Sequence, residues 1–222
     1  MNSSTNVFKD DPTATYRGYR RQALYCLFRL FDEGLPENYV IHPEGNEDLA
    51  ILDQDGNKIE VVQVKDYSAK LTASSFKPSF YRRISKYCEP GSKVAVKIAT
   101  FGEVGPEFAS AFDNDQETPQ RALNTLIKDR ESVDSQGKKI KVPGISEQEA
   151  KDIFAHVQLA KVEEEFLEKS IFEKLNSIIT SGDPKRAFEN LMWSLISSAE
   201  KQRKITRAQT IEQLNQIGRF ID

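Results

Sequence analysis

Residues 46–65 read NEDLAILDQDGNKIEVVQVK and predict two β-strands joined by a tight turn. The dipeptide at the centre, Asp55-Gly56, suits a two-residue type I′ turn, because glycine adopts positive φ without steric cost. The turn then determines which residues face each other across the hairpin: Leu52 and Ile59, Ala50 and Val61, and Asp48 and Gln63.

The last of these pairs places polar groups at the open end of an otherwise apolar hairpin. Since side chains alternate along a strand, Gln63 and Lys65 leave the second strand on the same side as Asp48. A carboxylate, an amide and an ammonium are therefore predicted to converge at this end of the hairpin.

These three groups fit the hydrolysis of a phosphodiester. Mg²⁺ prefers oxygen ligands and binds through one or two protein carboxylates, with water and phosphate oxygens completing its shell. Asp48 and Gln63 can supply such ligands, and Lys65 can stabilise the negative charge that develops at phosphorus. The alternative interpretation is an edge hairpin that carries polar residues at its solvated end.

The order of these residues resembles a known nuclease signature. Asp48, fourteen intervening residues and then Gln63-Val64-Lys65 are similar to the PD-(D/E)xK motif in its Gln-x-Lys form, as in Mrr-type restriction enzymes. Upstream, Gly18-Tyr19-Arg20-Arg21-Gln22 resembles the Gly-aromatic-x-x-Gln opening of the double-stranded-DNA endonuclease domain of bacterial anti-phage effectors, such as those fused to SAVED sensor domains in CBASS. The resemblance covers about residues 14–110 well and the remainder more loosely.

The sequence departs from the usual motif at two positions. Glu47 stands where proline is usual, and Gln63 stands where an acidic residue is usual. These departures leave the number of metal ions open.

The resemblance implies a fold and a set of roles. The fold is an α/β restriction-endonuclease-like core, a mixed sheet flanked by helices, in residues 1–144, with a mainly helical extension in residues 145–222 for connection or oligomerisation. The implied substrate is double-stranded DNA, and the implied cofactor is Mg²⁺, with Mn²⁺ as a possible replacement. The implied biological context is defence against phage. The implied site residues are Asp48, Gln63 and the Val64 carbonyl as metal ligands, with Lys65 and the Gln22 amide as further catalytic groups.

A basic segment directly follows the proposed active strand. The net charge of the chain is −3, yet residues 65–100 hold eight basic and two acidic residues, so they carry +6 and the rest carries −9. Phosphate neutralisation by such residues supplies much of the affinity for DNA. The predicted DNA-binding residues are Lys70, Lys77, Arg82, Arg83 and Lys86; the alternative is an ordinary solvated face.

Helical periodicity predicts a first helix over residues 14–33, with Tyr16 and Tyr19 in its apolar stripe. Gly18 inside it costs roughly 1 kcal/mol relative to alanine, which predicts close packing against another element. The arginines at positions 17, 20 and 21 either reach DNA phosphates or are solvated. His42 follows a short predicted strand, and a structural role is expected for it.

The rest of the chain is predicted to alternate between helices and strands. A second helix over residues 74–87 and a strand over 94–99 follow the hairpin, and a further helix spans 118–130. Residues 136–144 are predicted to be a basic loop at the domain boundary. Capping boxes at Ser146/Glu149 and Thr206/Gln209, a strand over 156–162 and three helices complete the prediction.

Composition bounds the class of protein. The 222 residues, with 38% apolar and 29% charged, suffice for one substantial core, and no apolar run reaches the roughly 20 residues of a membrane span. The N-terminus lacks the basic and apolar regions of an export signal, so we expect a cytoplasmic protein with no membrane partner. Cys26 and Cys88 are expected to be reduced core residues.

Two other functions remain open from the sequence. The core can be an inactive DNA-binding or oligomerisation module of a defence complex, or the chain can be an unrelated helical adaptor. For an active nuclease we expect a homo-oligomer, or an assembly with a sensor domain or subunit, because one hairpin carries one active site and a duplex has two strands.

Overall fold

The structure is a computed structural model that describes residues 12–35, 38–43, 48–66, 69–76, 78–113, 118–133, 137–179, 182–201 and 203–219. Glu47 of the motif and Lys77 of the predicted DNA-binding set lie outside these residues.

The described chain alternates between helices and short strands. The helices are α1 (Pro12–Leu30), α2 (Pro78–Ser85), α3 (Pro106–Ser110), α4 (Gln120–Ile127), α5 (Glu147–His156), α6 (Glu164–Ile178), α7 (Pro184–Glu200) and α8 (Arg207–Arg219), with a 3₁₀ turn at Ala73–Ser75. The strands are β1 (Val40–Pro43), β2 (Leu49–Leu52), β3 (Lys58–Lys65), β4 (Ala95–Thr100), β5 (Arg130–Val133), β6 (Lys139–Val142), β7 (Val157–Lys161) and β8 (Ile205–Thr206).

Six strands form a mixed sheet in the order β7-β4-β3-β2-β1-β8. β3, β4 and β7 are parallel, whereas β1, β2, β3 and β8 are joined by antiparallel pairings. Helices flank this sheet and dominate the C-terminal part of the chain, which confirms the predicted α/β architecture.

Both faces of the sheet are buried, each in its own apolar cluster. Val62 and Val64 contribute to the cluster that contains residues of α1, α6 and α7. Val61 and Ile98 contribute to the cluster that contains residues of α2, α4 and α5. Because helices cover both faces, the central strands are almost uniformly apolar rather than alternating.

The central hairpin has the predicted register near its open end but a longer turn. Ala50 pairs with Val61 as predicted, whereas Leu52 pairs with Lys58 instead of Ile59, because the register shifts between Ile51 and Leu52. The prediction of a two-residue turn is wrong. The Asp53 amide donates to the Asn57 carbonyl at 2.9 Å, which leaves three residues at the tip.

The Asp53 side chain explains the wider turn. Its carboxylate accepts hydrogen bonds from the amides of Asp55 at 3.0 Å and Asn57 at 2.8 Å. Gly56 has a φ of 83° and its amide donates to the Asp53 carbonyl at 3.1 Å. An aspartate that caps nearby amides, followed by a glycine at positive φ, stabilises a three-residue hairpin loop with a bulge.

Two predictions about α1 are wrong. Tyr16 and Tyr19 do not belong to the buried stripe, because 57% and 53% of their surface is exposed. Close packing does not explain Gly18 either, because a Cβ atom built on it would meet no described atom within 4 Å. The buried face of α1 begins only at Ala23, where the helix crosses the sheet.

Two predicted segments have different structures. The second helix is interrupted, with the 3₁₀ turn at Ala73–Ser75 separate from α2. Pro78 explains the late start, since proline fits the first turn of a helix but cannot donate the hydrogen bond needed further inside. The predicted loop over 136–144 instead contains β6, which pairs with β5 in a second hairpin.

Residues after position 144 complete the central sheet. The predicted strand near residue 157 is confirmed as β7, and β8 pairs with β1 at the opposite edge. Both capping boxes are confirmed, with reciprocal bonds between Ser146 and Glu149 and between Thr206 and Gln209. The domain boundary at 144 stays a prediction.

Cys26 and Cys88 are both buried and free, as expected. Within the described residues, no helix combines the length and the apolar character needed to cross a bilayer.

Candidate functional site

The polar end of the hairpin brings Asp48 and Gln63 together. Asp48 lies directly before β2, and its Oδ2 accepts a hydrogen bond from the Val64 amide at 2.7 Å and another from Gln63 Nε2. Gln63 is 6% exposed although it is polar, so its amide depends on partners inside the protein. The juxtaposition predicted from strand alternation is therefore present.

Lys65 lies at the end of β3, where its side chain is partly buried. Its Nζ is 5.5 Å from the centroid of the Phe76 ring, a cation–π distance. Burial raises the pKa of Asp48, and the Lys65 ammonium opposes this rise, so the two charges interact. Lys65 thus contacts the Phe76 ring and interacts electrostatically with Asp48.

Gln22 reaches the same carboxylate from α1. Its side chain donates a hydrogen bond to Asp48, which only partly opposes the rise that burial causes in the pKa of that carboxyl. The Gln22 Oε1 atom is buried and has no hydrogen-bond partner among the described residues. Gln22 and Asp48 also line a cavity of about 30 Å³, whose other walls are mostly apolar residues of α1 and α7.

Burial disfavours the ionised form of Asp48. Burial raises the pKa of Asp48 above its ordinary value of 3.8, and the opposing effects of Lys65, the Val64 amide, Gln63 and Gln22 do not fully offset it. Since desolvation disfavours the ionised form, a group that brings positive charge to this carboxylate would be bound favourably.

The donor set at Asp48 fits a hard cation. One carboxylate and the amide oxygens of Gln22 and Gln63 are donors of the kind that Mg²⁺ accepts, and the Gln22 Oε1 has no hydrogen-bond partner among the described residues. Gln63 now turns its Nε2 toward Asp48, so ligation through Oε1 requires rotation of its amide. Among the described residues, no group of three or more His, Cys, Asp or Glu side chains is placed to share a metal ion.

Arg17, Arg20 and Arg21 of α1 all pair with acidic residues, although 46% of the Arg17 side chain remains exposed. Arg17 Nε lies 2.7 Å from Asp66 Oδ2, and Arg21 bridges Asp66 and Glu164. Arg20 is paired with Glu164 and with Glu168 at the start of α6. The ion-pair partners of these three arginines are therefore Asp66, the residue after Lys65, and two glutamates in the first turns of α6.

The predicted DNA-binding residues on α2 and before it have different environments. Arg83, Lys86 and Lys70 are exposed. The Arg82 guanidinium donates to the Pro143 carbonyl at 2.6 Å and so anchors the chain that follows β6.

The aromatic residues of α2 do not interleave with these cations at the surface. Phe80 and Tyr81 are instead buried in the core. Phe80 stacks on Phe76 at 4.6 Å, and Phe76 in turn contacts Lys65. α2 is thereby packed next to the candidate active strand.

The sequence interpretation missed a buried ion cluster at the start of β3. Glu60 Oε2 accepts from Arg29 at 2.9 Å and from Lys97 at 2.6 Å, and Glu60 and Arg29 are 5% and 7% exposed. The available signal was a glutamate inside an apolar strand. The cluster joins α1 to β3 and β4.

His42 is a second buried polar residue near the hairpin. It pairs with Ala50 across β1 and β2, and its Nε2 atom is buried without a hydrogen-bond partner among the described residues.

A groove on a different surface lies away from the hairpin. It has a volume of about 600 Å³ and is formed by α1, α6 and α7. Its apolar wall includes Phe172, Met192 and Trp193, the last 62% exposed. Neither Asp48 nor Lys65 lines it.

No protein-family model and no curated protein matches this chain. Among solved structures, the chain is similar to the Cap4 SAVED/CARF-domain containing receptor of Moraxella osloensis, with a TM-score of 0.51, 14% identity, and coverage of 90% of this chain and 46% of that one. It is also similar to the Acinetobacter baumannii Cap4 receptor solved with the cyclic trinucleotide 3′3′3′-cAAA, with a TM-score of 0.48, 13% identity, and coverage of 89% and 42%. At these identities the likeness concerns the fold alone, and the chain spans less than half the length of these receptors.

Proposed function

We propose that this chain is a metal-dependent endonuclease that hydrolyses phosphodiester bonds in double-stranded DNA as an effector of anti-phage defence. One observation carries the proposal: Asp48 and Gln63 contact each other at the end of a hairpin, with Lys65 and Gln22 beside them. This is the set of residues, in the same order, that the resemblance to PD-(D/E)xK nucleases assigns to the active site.

The residues that would hold the metal are Asp48 and Gln63, with the Val64 carbonyl as a third ligand. Bound there, Mg²⁺ or Mn²⁺ would neutralise charge on the phosphate and lower the pKa of the attacking water. Gln63 is neutral, so this site has one negative charge fewer than an Asp/Glu site. It is therefore expected to bind Mg²⁺ weakly and to rely on phosphate oxygens.

Lys65 would act on the phosphate directly. Its ammonium lies near Asp48 and is partly shielded from water by the Phe76 ring. A partly desolvated positive charge stabilises developing negative charge more strongly than one in water. Preorganised donors of this kind typically contribute about 3 kcal/mol to the transition state.

Two further observations support the substrate and the biological context. The exposed cations Lys70, Arg83 and Lys86 belong to segments that follow the active strand, which suits contacts with a DNA backbone. The fold is similar over 90% of this chain to a Cap4 SAVED/CARF-domain containing receptor. Together with the sequence resemblance to endonuclease domains fused to SAVED sensors, this supports a role beside a sensor domain or subunit.

The decisive experiment combines metal binding with plasmid cleavage. Purified parent protein is incubated with supercoiled plasmid and Mg²⁺, Mn²⁺ or EDTA, and Mn²⁺ binding is measured by calorimetry. Asp48→Ala and Gln63→Ala should lose metal binding, and Gln63→Glu should retain cleavage because it keeps a ligand oxygen. Lys65→Ala should bind metal like the parent and cut about 100-fold more slowly.

Lys169→Ala is the matched control for the loss of a lysine, because Lys169 lies on α6 and its side chain is 78% exposed. This variant should cut like the parent. The active site is misplaced if Asp48→Ala binds metal normally or if Lys65→Ala cuts at the parental rate.

One observation favours the second candidate function, an inactive DNA-binding or oligomerisation module. Gln63 Nε2 and the Val64 amide satisfy Asp48 Oδ2 without any cation. A parent protein that binds DNA but leaves plasmid intact with either metal, in the assembled as well as the monomeric state, would identify this function.

A further inference from the structure

The end of β3 is held on two sides by different elements. Lys65 contacts the Phe76 ring, and its carbonyl accepts a hydrogen bond from the Phe101 amide at 2.9 Å. The next residue, Asp66, points its carboxylate at Arg17 and Arg21 of α1. Since successive side chains of an extended segment leave on opposite sides, holding Asp66 on the α1 side also sets the side of the strand from which Lys65 leaves.

Asp66 is better held than a typical surface carboxylate. Its side chain is 8% exposed, and its two oxygens engage two different arginines. Isolated surface ion pairs contribute little, but a mostly buried carboxylate with two guanidinium partners is strongly oriented.

Arg21 links Asp66 to two other structures. Its side chain is 20% exposed, and Nε lies 2.8 Å from Glu164 at the start of α6. Its guanidinium carbon is also 5.0 Å from the centroid of the Phe101 ring. Arg21 therefore contacts Phe101, which donates the hydrogen bond to Lys65, and Asp66, which follows Lys65, and it links both to Glu164 of α6.

We propose that Asp66 and Arg21 are positioning residues for Lys65: the Asp66–Arg21–Glu164 bridge sets the end of β3 and thereby directs the Lys65 ammonium toward Asp48. The positioning of Lys65 depends only on contacts within this chain. Its effect on cleavage rests on the proposed nuclease function. Neither Asp66 nor Arg21 would touch the reacting phosphate. Both would affect cleavage only by orienting the Lys65 side chain.

The test uses Asp66→Asn and Arg21→Gln in the complete chain, with Lys174→Gln as the matched control. Lys174 on α6 pairs with Glu33 just after α1, so its loss removes another link between these regions without touching Asp66. Asp66→Glu retains the carboxylate and serves as the conservative variant. Thermal unfolding first establishes that each variant is folded at the assay temperature.

The first readout is independent of cleavage. The rate of acetylation of Lys65 by an amine reagent is measured by mass spectrometry, with exposed Lys169 as the internal reference. Lys65 should be acetylated several-fold faster in the Asp66→Asn and Arg21→Gln variants than in the parent. In the Lys174→Gln variant its rate of acetylation should equal that of the parent. Parental Lys65 rates in both variants would overturn the proposal.

The second readout is steady-state cleavage. Because small displacements of a catalytic group cost up to about 100-fold in rate, kcat should fall about 10- to 100-fold with KM changed less than about twofold. Asp66→Glu should recover kcat to within about threefold of the parent. A lower unfolding temperature with parental kcat would show a purely structural clamp and overturn the inference.

The two proposals fail in different ways. If the parent never cuts DNA, the nuclease function is overturned, while faster acetylation of Lys65 would still support its positioning by Asp66 and Arg21. If the parent cuts and both variants behave like it in both readouts, only the positioning is overturned.

Discussion

Asp48 shows the conflict between stability and function at the candidate site. Its carboxylate is placed where burial raises its pKa, and one ammonium, one backbone amide and two side-chain amides reduce this penalty without removing it. A residue selected only for stability would not be an ionisable one at this position. The penalty is consistent with a group whose charge is needed for ligand binding.

The first prediction follows from the direction of this pKa shift. Since the pKa of Asp48 is higher in the folded than in the unfolded chain, the folded state binds more protons between the two values, and stability falls as pH rises through that interval. Asp48→Asn removes this titration. The variant should therefore have a larger free energy of unfolding than the parent at pH 7, and the difference should vanish below the ordinary pKa of 3.8.

Urea unfolding at pH 7 and pH 3 measures this difference. Asp129→Asn is the control, and it should lower the free energy of unfolding at pH 7. A hydrogen bond from Lys141 lowers the pKa of Asp129, so the charge of this carboxylate stabilises the fold at neutral pH. The Asp48→Asn variant should also lose Mn²⁺ binding. Lower stability of Asp48→Asn at pH 7 would mean that the contacts of its charge outweigh the desolvation.

The sequence predicted some of these residue contacts and missed others for a clear reason. Asp48, Gln63 and Lys65 are joined by one short hairpin, so strand alternation suffices to bring them together. Arg21 and Glu164 are 143 positions apart, and only the packing of α6 against α1 makes them neighbours. Long-range ion pairs of this kind have no periodic signal in a single sequence.

At the level of secondary structure, the hairpin shows how two local constraints are reconciled. The Asp53 turn pairs residue 53 with 57, whereas the two buried faces require Ala50 to pair with Val61. A bulge between Ile51 and Leu52 absorbs the one-residue difference. The polar end was predicted correctly despite the wrong turn, because the alternation of buried side chains determines the register there.

The second prediction concerns Gly18 in α1. A Cβ atom at this position meets no described atom within 4 Å, so alanine fits without strain. Gly18→Ala should raise the free energy of unfolding by about 0.5–1 kcal/mol through higher helix propensity. If DNA approaches the helix here, the same variant should bind DNA more weakly although it is more stable.

Gly144→Ala is the contrasting variant in the same unfolding experiment. A Cβ atom on Gly144 would lie 1.7 Å from the carbonyl oxygen of Ile127, so the backbone must shift. The free energy of unfolding of this variant should be about 1–3 kcal/mol lower than that of the parent. A destabilised Gly18→Ala protein would show that the glycine has a structural role in α1.

The third prediction tests α2 as a DNA-binding element. Arg83 is the better probe than Arg82, because Arg82 anchors the Pro143 carbonyl and its loss would also disturb folding. Arg83→Gln should weaken binding to all duplex sequences similarly. It should also reduce the slope of log K against log salt concentration by about 1, as expected for one phosphate contact.

Arg186→Gln is the matched control, since Arg186 is exposed on α7 and changes the net charge equally. Fluorescence anisotropy with a labelled duplex at several salt concentrations measures both slopes. An unchanged slope for Arg83→Gln would make the basic residues of α2 an ordinary solvated face.

For the whole molecule, the resemblance and the order of predicted strands and helices predicted the class of fold but not the way the chain closes its sheet. Both outer strands of the central sheet, β7 and β8, come from the part of the chain that was predicted to be a mainly helical extension. β8 has only two residues, too few for a periodic pattern. Which strand occupies an edge depends on pairings between distant segments, and these leave little local signal.

The same arrangement has a mechanical consequence. α6 and α7 pack against α1 in one apolar cluster, and α6 carries the glutamates that pair with the arginines of α1. We therefore expect a rearrangement of the C-terminal helices to displace the helix that carries Gln22 and Arg21, and through it the candidate site.

The fourth prediction is that double-strand cleavage requires assembly. Each chain has one candidate site at the end of one hairpin, so two copies must act on opposite strands. At low protein concentration nicked circles should accumulate from supercoiled plasmid, and the ratio of linear to nicked product should rise steeply as concentration increases. Light scattering under the same conditions should show the corresponding increase in mass.

Mixing experiments separate assembly from simple repetition of nicking. When parent and Lys65→Ala protein are mixed at constant total concentration, mixed assemblies hold one competent site, so they should nick but not linearise plasmid. Linear product should then fall with the square of the parental fraction, while nicking falls only in proportion to it. A linear product that falls in direct proportion, from a protein that scatters as a monomer throughout, would contradict activation by assembly and require one chain to cut both strands in turn.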